Sequence, residues 1–106
     1  MKTIIRASLV VLAVAFVFVT FSAADSAADL YKTKCAVCHG ASGAGDTAMG
    51  KNLKVRDLSS PDVQKQSDAD LANVIKNGKG KMPKYDGKLT DAQIAELVKY
   101  IRTLKK

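Results

Sequence analysis

The chain has 106 residues, room for one domain at most, and carries 17 Lys and Arg against 10 Asp and Glu, a net charge of +7. Three Tyr, no Trp and no basic block interleaved with aromatics make nucleic acid a poor explanation for that charge, so an acidic protein partner or an anionic membrane surface is the expected counterpart. Two Cys and one His fall short of the four ligands that a zinc site takes.

The first stretch reads as an export signal. Lys2 and Arg6 make a small positive start, residues 7–21 are apolar apart from Ser8 and Thr20, and small residues follow. A membrane span takes about 20 apolar residues, and the run is shorter than that unless residues 22–24 are counted, so retention as an uncleaved anchor stays open. Cleavage fits after Ala24 or after Ala28, because Ser22-Ala23-Ala24 and Ser26-Ala27-Ala28 both follow the small-x-small rule. The first is preferred, since it leaves Asp25 and Ser26 to cap the first helix. The expected division is a leader over residues 1–24 and a domain over residues 25–106. Those 82 residues carry +5, because Lys2 and Arg6 leave with the leader. Apolar burial alone supports only a marginal fold at that size.

The spacing of Ala27, Leu30, Tyr31, Cys35 and Cys38 predicts a helix from about Ser26, with Lys32 and Thr33 on its outer face and Gly40 at its end. Its last residues, Cys35-Ala36-Val37-Cys38-His39, form a Cys-x-x-Cys-His run, the attachment pattern of a c-type haem. Positions three and four apart share one helix face, so two thiols can add to the haem vinyl groups while the imidazole reaches the iron. A thioredoxin-like dithiol would follow a strand in a βαβ unit, and none is apparent. A disulfide here would close too small a loop to constrain the unfolded chain much. A covalently held haem would also supply the core that so short a domain lacks.

Residues 40–59 contain four Gly and no lasting period, which predicts an irregular loop passing close to one haem face. A phosphate cradle is disfavoured, because the glycines follow no predicted strand and lack the Lys-Ser/Thr ending. Ser60-Pro61 starts a short helix over about residues 61–66. Ser67 with Asp70 starts another, with Leu71, Val74 and Ile75 inward and Gly78 just past its end. Thr90 with Gln93 is a capping box, and Ile94, Leu97, Val98, Ile101 and Leu104 then mark the clearest amphipathic helix of the chain. No alternating run is long enough for a strand, and there is no internal repeat.

With no second His, the opposite face of the iron must be met by Met, Lys or water. Met82 is the better methionine: it lies in Gly78-Lys79-Gly80-Lys81-Met82-Pro83, a loop between two predicted helices in which Pro83 fixes the backbone directly after it. Met49 follows His39 by only ten positions and is expected to be a flexible core filler.

Over essentially the whole domain these residues resemble a class I c-type cytochrome of the short bacterial mono-haem type. The match rests on Cys35-Ala36-Val37-Cys38-His39, on Met82-Pro83, and on Ala27 and Tyr31 of the first helix facing Leu97 and Tyr100 of the last. The resemblance implies an all-α fold of about four helices around one covalently attached haem c, with first and last helices packed together. It implies Cys35 and Cys38 as thioether attachments, His39 and Met82 as axial iron ligands, no catalytic residues, and an electron carrier between redox partners. Two departures stand out. The family often has a proline some dozen residues after the haem His, whose carbonyl accepts the His ring N–H; here the stretch reads Met49-Gly50-Lys51-Asn52, and another carbonyl near Lys51 is the expected acceptor. The Trp that larger members place near the haem propionates is missing.

The expected setting is periplasmic, with a monomer that touches membrane only if the leader is retained. Lys79, Lys81, Lys84 and Lys88 cluster around Met82 and read either as a solvated loop or as a rim steering the carrier onto an acidic patch. Two rivals remain open: a haem enzyme or gas sensor with a displaceable distal ligand, peroxidase-like, and a haem-free thiol-disulfide oxidoreductase.

Overall fold

A computed structural model of the chain describes Ala15 and residues 23–106, with side chains from residue 27 onward. Nearly all of the expected leader lies outside the described residues. Within them no helix is long and apolar enough to cross a membrane.

The helix leading to the haem motif is a single path in three parts: α1 (Ala23–Leu30), a π-helical turn (Tyr31–Cys35) and α2 (Ala36–His39). In the uncut chain α1 begins at Ala23, so Asp25 and Ser26 lie within it rather than capping it. At the far end Gly40, at φ +80°, stops the helix as expected, a conformation that glycine adopts without steric cost.

One further helix lies in the stretch read as an irregular loop. It is α3 (Ala48–Leu53), capped by the Thr47 hydroxyl, which accepts from the Gly50 amide at 2.9 Å. α4 (Pro61–Gln64) starts at Ser60 and Pro61 as predicted but ends two residues early. α5 (Asp68–Asn77) is capped by Ser67 and stopped at Gly78, and α6 (Asp91–Thr103) has both halves of the Thr90–Gln93 capping box. Among the described residues there is no strand, only isolated bridges at Lys79 with Met82 and Asp86 with Leu89. The fold is all-α, with the α1–α6 pairing that the family resemblance implies.

That pairing forms around small and large partners. Ala27, 1% exposed, lets α1 approach α6 closely, and the Tyr31 ring packs on Tyr100 with centroids 4.9 Å apart. Leu97, also 1% exposed, joins Ile94, Val98 and Ile101 on the buried face of α6, against Leu71 and Ile75 of α5. A fully buried leucine of this kind contributes about 2–5 kcal/mol against alanine. Arg102 closes the corner: its guanidinium donates to the Gln64 carbonyl at 2.7 Å and to Asp68 at 2.9 Å, while the Gln64 amide donates to the Ile101 carbonyl at 3.0 Å. The end of α6 is thereby fixed to the α4–α5 corner, and one wall of the central cavity with it.

Candidate haem site

The helices enclose a cavity of about 390 Å³, open on one side and mostly apolar, within the size range of small-molecule sites. Cys35, Cys38 and His39 line it from the end of the first helical path, and Met82 lines it from the loop after α5. Four residues chosen from sequence thus meet in one space.

The proximal side is fixed by interlocked backbone. Tyr31 OH donates to the Gly40 carbonyl at 2.6 Å, and the Gly45 amide donates to the His39 carbonyl at 2.7 Å. Thr47 OH, while capping α3, donates to the Val37 carbonyl at 2.8 Å and lies 3.2 Å from that of Cys38. Gly50 packs so tightly that an added Cβ would run into the Cys38 carbonyl. Sequence reasoning missed Thr47 and Gly50; the polar Asp46-Thr47 pair before Ala48 was the capping signal that could have found them.

Electrostatics separate the rival readings. Burial is the main cause that pushes the Cys35 thiol up to about 11, with the positive charge of Lys34 opposing, so the thiol stays protonated at neutral pH. A reactive dithiol needs the reverse, a thiol pushed toward thiolate. Burial lowers the pKa of His39, which favours the neutral imidazole that a metal requires. Both cysteines are free thiols. Among the described residues no group of three or more His, Cys, Asp or Glu side chains is arranged to hold a bare metal ion. Two free thiols, a neutral imidazole and a thioether lining one apolar cavity fit a haem.

Two expectations about the neighbourhood are corrected. Met49 is 46% exposed on α3 and is not a core filler, because α3 buries Gly50 instead. No carbonyl near Lys51 meets the His39 ring: Nδ1 is buried without a hydrogen-bond partner. The Gly50 carbonyl accepts from Val55 at 3.0 Å and the Lys51 carbonyl from Lys54 at 3.3 Å, so the turn that ends α3 uses both. Of the four lysines, Lys79 and Lys81 line the cavity mouth with Lys34, Lys54 and Arg56, while Lys84 and Lys88 are exposed but do not.

A helical shell that closes a first helix on a last one and presents a Cys-x-x-Cys-His turn to the space between is the architecture of a c-type cytochrome. Comparison with known proteins agrees. The family model described as "Cytochrome C oxidase, cbb3-type, subunit III" matches residues 22–101. Cytochrome c6 of Picosynechococcus sp. is 37% identical over 95% of this chain and 92% of its own length, and cytochrome c6 of Leptolyngbya boryana is 39% identical over 74% and 91%. The solved structure of the KustC0563 c-type cytochrome covers 76% of this chain and 98% of its own at a TM-score of 0.70 and 32% identity. The chain belongs to this cytochrome c family: it is a small class I c-type cytochrome, a mono-haem electron carrier with one covalently bound haem c that works between redox partner proteins.

Proposed function

We propose that Cys35 and Cys38 hold the haem through thioether bonds, that His39 and Met82 are the axial iron ligands, and that the protein shuttles single electrons in the periplasm. The observation that carries this reading is the single cavity lined by Cys35, Cys38 and His39 from one side and by Met82 from a loop far along the chain. Bound haem supplies a one-electron ferrous–ferric couple, and the residues around it decide how that couple behaves.

His39 is kept neutral by burial and offers a nitrogen lone pair. Met82 offers a soft, neutral thioether, and His/Met ligation raises the reduction potential. Apolar walls such as Leu71, Ile75 and Leu97 disfavour the extra positive charge of the oxidised state and raise it further. With a ligand on each face, neither oxidation state calls for a new partner. The protein acts as a carrier and not as an enzyme; its similarity to the cytochrome c6 proteins, and a cavity lined by a candidate ligand from each side, support that reading.

Residues 1–24 act as the export leader, cleaved after Ala24, and the exported domain works as a monomer. Its partners present an acidic patch to the lysines around Met82. N-terminal sequencing of the exported protein is expected to start at Asp25; a start at Asp29 moves the cut, and a start at Met1 makes the leader an anchor. Visible spectra of the oxidised and reduced protein test the core of the proposal. A six-coordinate low-spin spectrum with a sulfur-to-iron band is expected. A high-spin spectrum would overturn Met82 as ligand, and a colourless protein would overturn the haem site.

A further inference from the structure

The loop that carries Met82 leaves α5 at Gly78 and returns to the core at Leu89, which is buried. On one side it is held to α5: the Tyr85 amide donates to the Ile75 carbonyl at 3.1 Å and the Asp86 amide to the Lys76 carbonyl at 2.9 Å. Internally, Met82 N–H donates to the Lys79 carbonyl at 3.0 Å and Lys79 N–H to the Met82 carbonyl at 3.3 Å. These bonds fix the loop to α5 but leave open its distance from the cysteine-bearing helix across the cavity. Among the described residues one hydrogen bond spans that distance. Tyr85 OH donates to the Lys34 carbonyl at 3.1 Å, from 51 positions away in the chain.

Both ends of this bond are placed to matter. Tyr85 follows Met82 by three positions and Lys34 directly precedes Cys35, so the bond joins the two halves of the iron site close to their chemistry. The acceptor belongs to the π-helical turn, and Cys35, at φ −111°, is where the path bends into α2. Such turns gather at functional sites because their wider spacing displaces carbonyls from the regular helical positions. The half-buried Tyr85 ring packs against the core, so ring and hydroxyl have separable roles.

We infer that Tyr85 is a positioning residue whose hydroxyl latches the Met82 loop onto the helix carrying Cys35, and so sets how readily Met82 gives way to another ligand. The inference rests on Met82 as the distal ligand. A neutral hydroxyl–carbonyl bond open to water on one side shifts an opening equilibrium by a factor of about 3 to 10.

The test uses the haem-loaded ferric protein with imidazole as probe, because imidazole can bind only after Met82 leaves and its affinity therefore reports loop opening. Tyr85→Phe is expected to tighten imidazole binding about 3- to 10-fold and to speed amide exchange at Lys79 and Met82 by a similar factor, with Leu97 and Val98 of α6 unchanged. Tyr100→Phe removes a hydroxyl at the α1–α6 crossing and is expected to change neither reading. If Tyr85→Phe matches the unaltered protein while Met82→Ala binds imidazole far more tightly, the latch is overturned and the ligand stands. If Met82→Ala has no effect, the ligand assignment falls and the latch with it. Faster exchange throughout α6 in Tyr85→Phe would make the hydroxyl a general support of the fold and end the positioning role.

Discussion

The two faces of the cavity are held by different means. On the proximal face, His39 ends a helix whose last carbonyls are gripped by Thr47 and Gly45 and packed against Gly50, so the backbone that carries the ring cannot move without unpacking α3. On the distal face, Met82 sits in an exposed loop held by its own two-bond turn, by two amides on α5 and by the Tyr85 hydroxyl. Backbone packing resists small displacements steeply, whereas a few partly hydrated hydrogen bonds yield to local opening. With His39 and Met82 as the ligands proposed above, the difference predicts different lifetimes: the imidazole side is the permanent attachment, and exchange of ligand takes place on the methionine side.

The largest expected effect comes from breaking the distal side outright. Met82→Ala removes the thioether, so the sulfur-to-iron band disappears, cyanide and carbon monoxide bind readily, and the potential falls; Met49→Ala, at an exposed site, leaves all three unchanged. Cyanide titration of the two variants decides the assignment, and the opposite pattern would exchange the two methionines. Next in size is Gly50→Ala on the proximal side. Its Cβ would meet the Cys38 and Gly45 carbonyls, which are backbone and cannot step aside, at a cost of about 3 kcal/mol. By contrast, Gly80→Ala in the Met82 loop meets nothing within 4 Å and costs only the strain of its φ of +56°, about 1 kcal/mol. Thermal unfolding of this pair sharpens the contrast, and equal losses would show that both faces are held alike.

Those positions also show what the amino-acid order could and could not reveal. The Cys-x-x-Cys-His run, the Met82-Pro83 loop and the Thr90–Gln93 box are local patterns, and each lies where its spacing places it. The α1–α6 crossing was legible through the family resemblance, which matched Ala27 and Tyr31 of the first helix to Leu97 and Tyr100 of the last, and Tyr31 does pack on Tyr100. α3 was harder to read: Thr47 offers a capping signal, but no apolar stripe follows it, Gly50 lies inside it, and the Thr47 hydroxyl also bonds to the Val37 carbonyl ten positions upstream. The carbonyl expected behind His39 failed for a related reason. A missing proline does not show that the turn ending α3 will take the neighbouring carbonyls for itself. The bond between Tyr85 and Lys34 joins residues whose pairing only the folded loop creates.

A smaller change separates the proximal clamp from the ligand it supports. Thr47→Val keeps the shape and removes a hydroxyl that both donates to the motif and caps α3, at an expected cost of about 1–2 kcal/mol. For a domain of this size that lowers Tm by roughly 5–10 °C. Imidazole affinity should stay unchanged, since the distal loop is untouched. A change in affinity as large as that in Tyr85→Phe would mean that the two faces open together.

The smallest effects concern the mouth of the cavity, where the charges differ in arrangement more than in number. The ion pairs among the described residues lie elsewhere: Lys76 with Asp91, Lys99 with Glu96, Lys65 with Asp62, Arg102 with Asp68 and Lys106 with Asp57. Lys34, Lys54, Arg56, Lys79 and Lys81 line the opening, and none of them forms an ion pair among the described residues. Positive charge outside any ion pair therefore lines the opening, and the acidic partner proposed above would be steered toward it. Neutralising Lys79 and Lys81 with glutamine should slow association about 2- to 3-fold per charge at low salt and flatten its dependence on ionic strength. Neutralising Lys84 and Lys88, which lie off the mouth, should do less. Equal effects from the two pairs would return the lysines to a uniformly solvated loop. Electron transfer at the same rate at low and high ionic strength would remove the acidic partner altogether, because screened and unscreened encounters differ only when charge guides them.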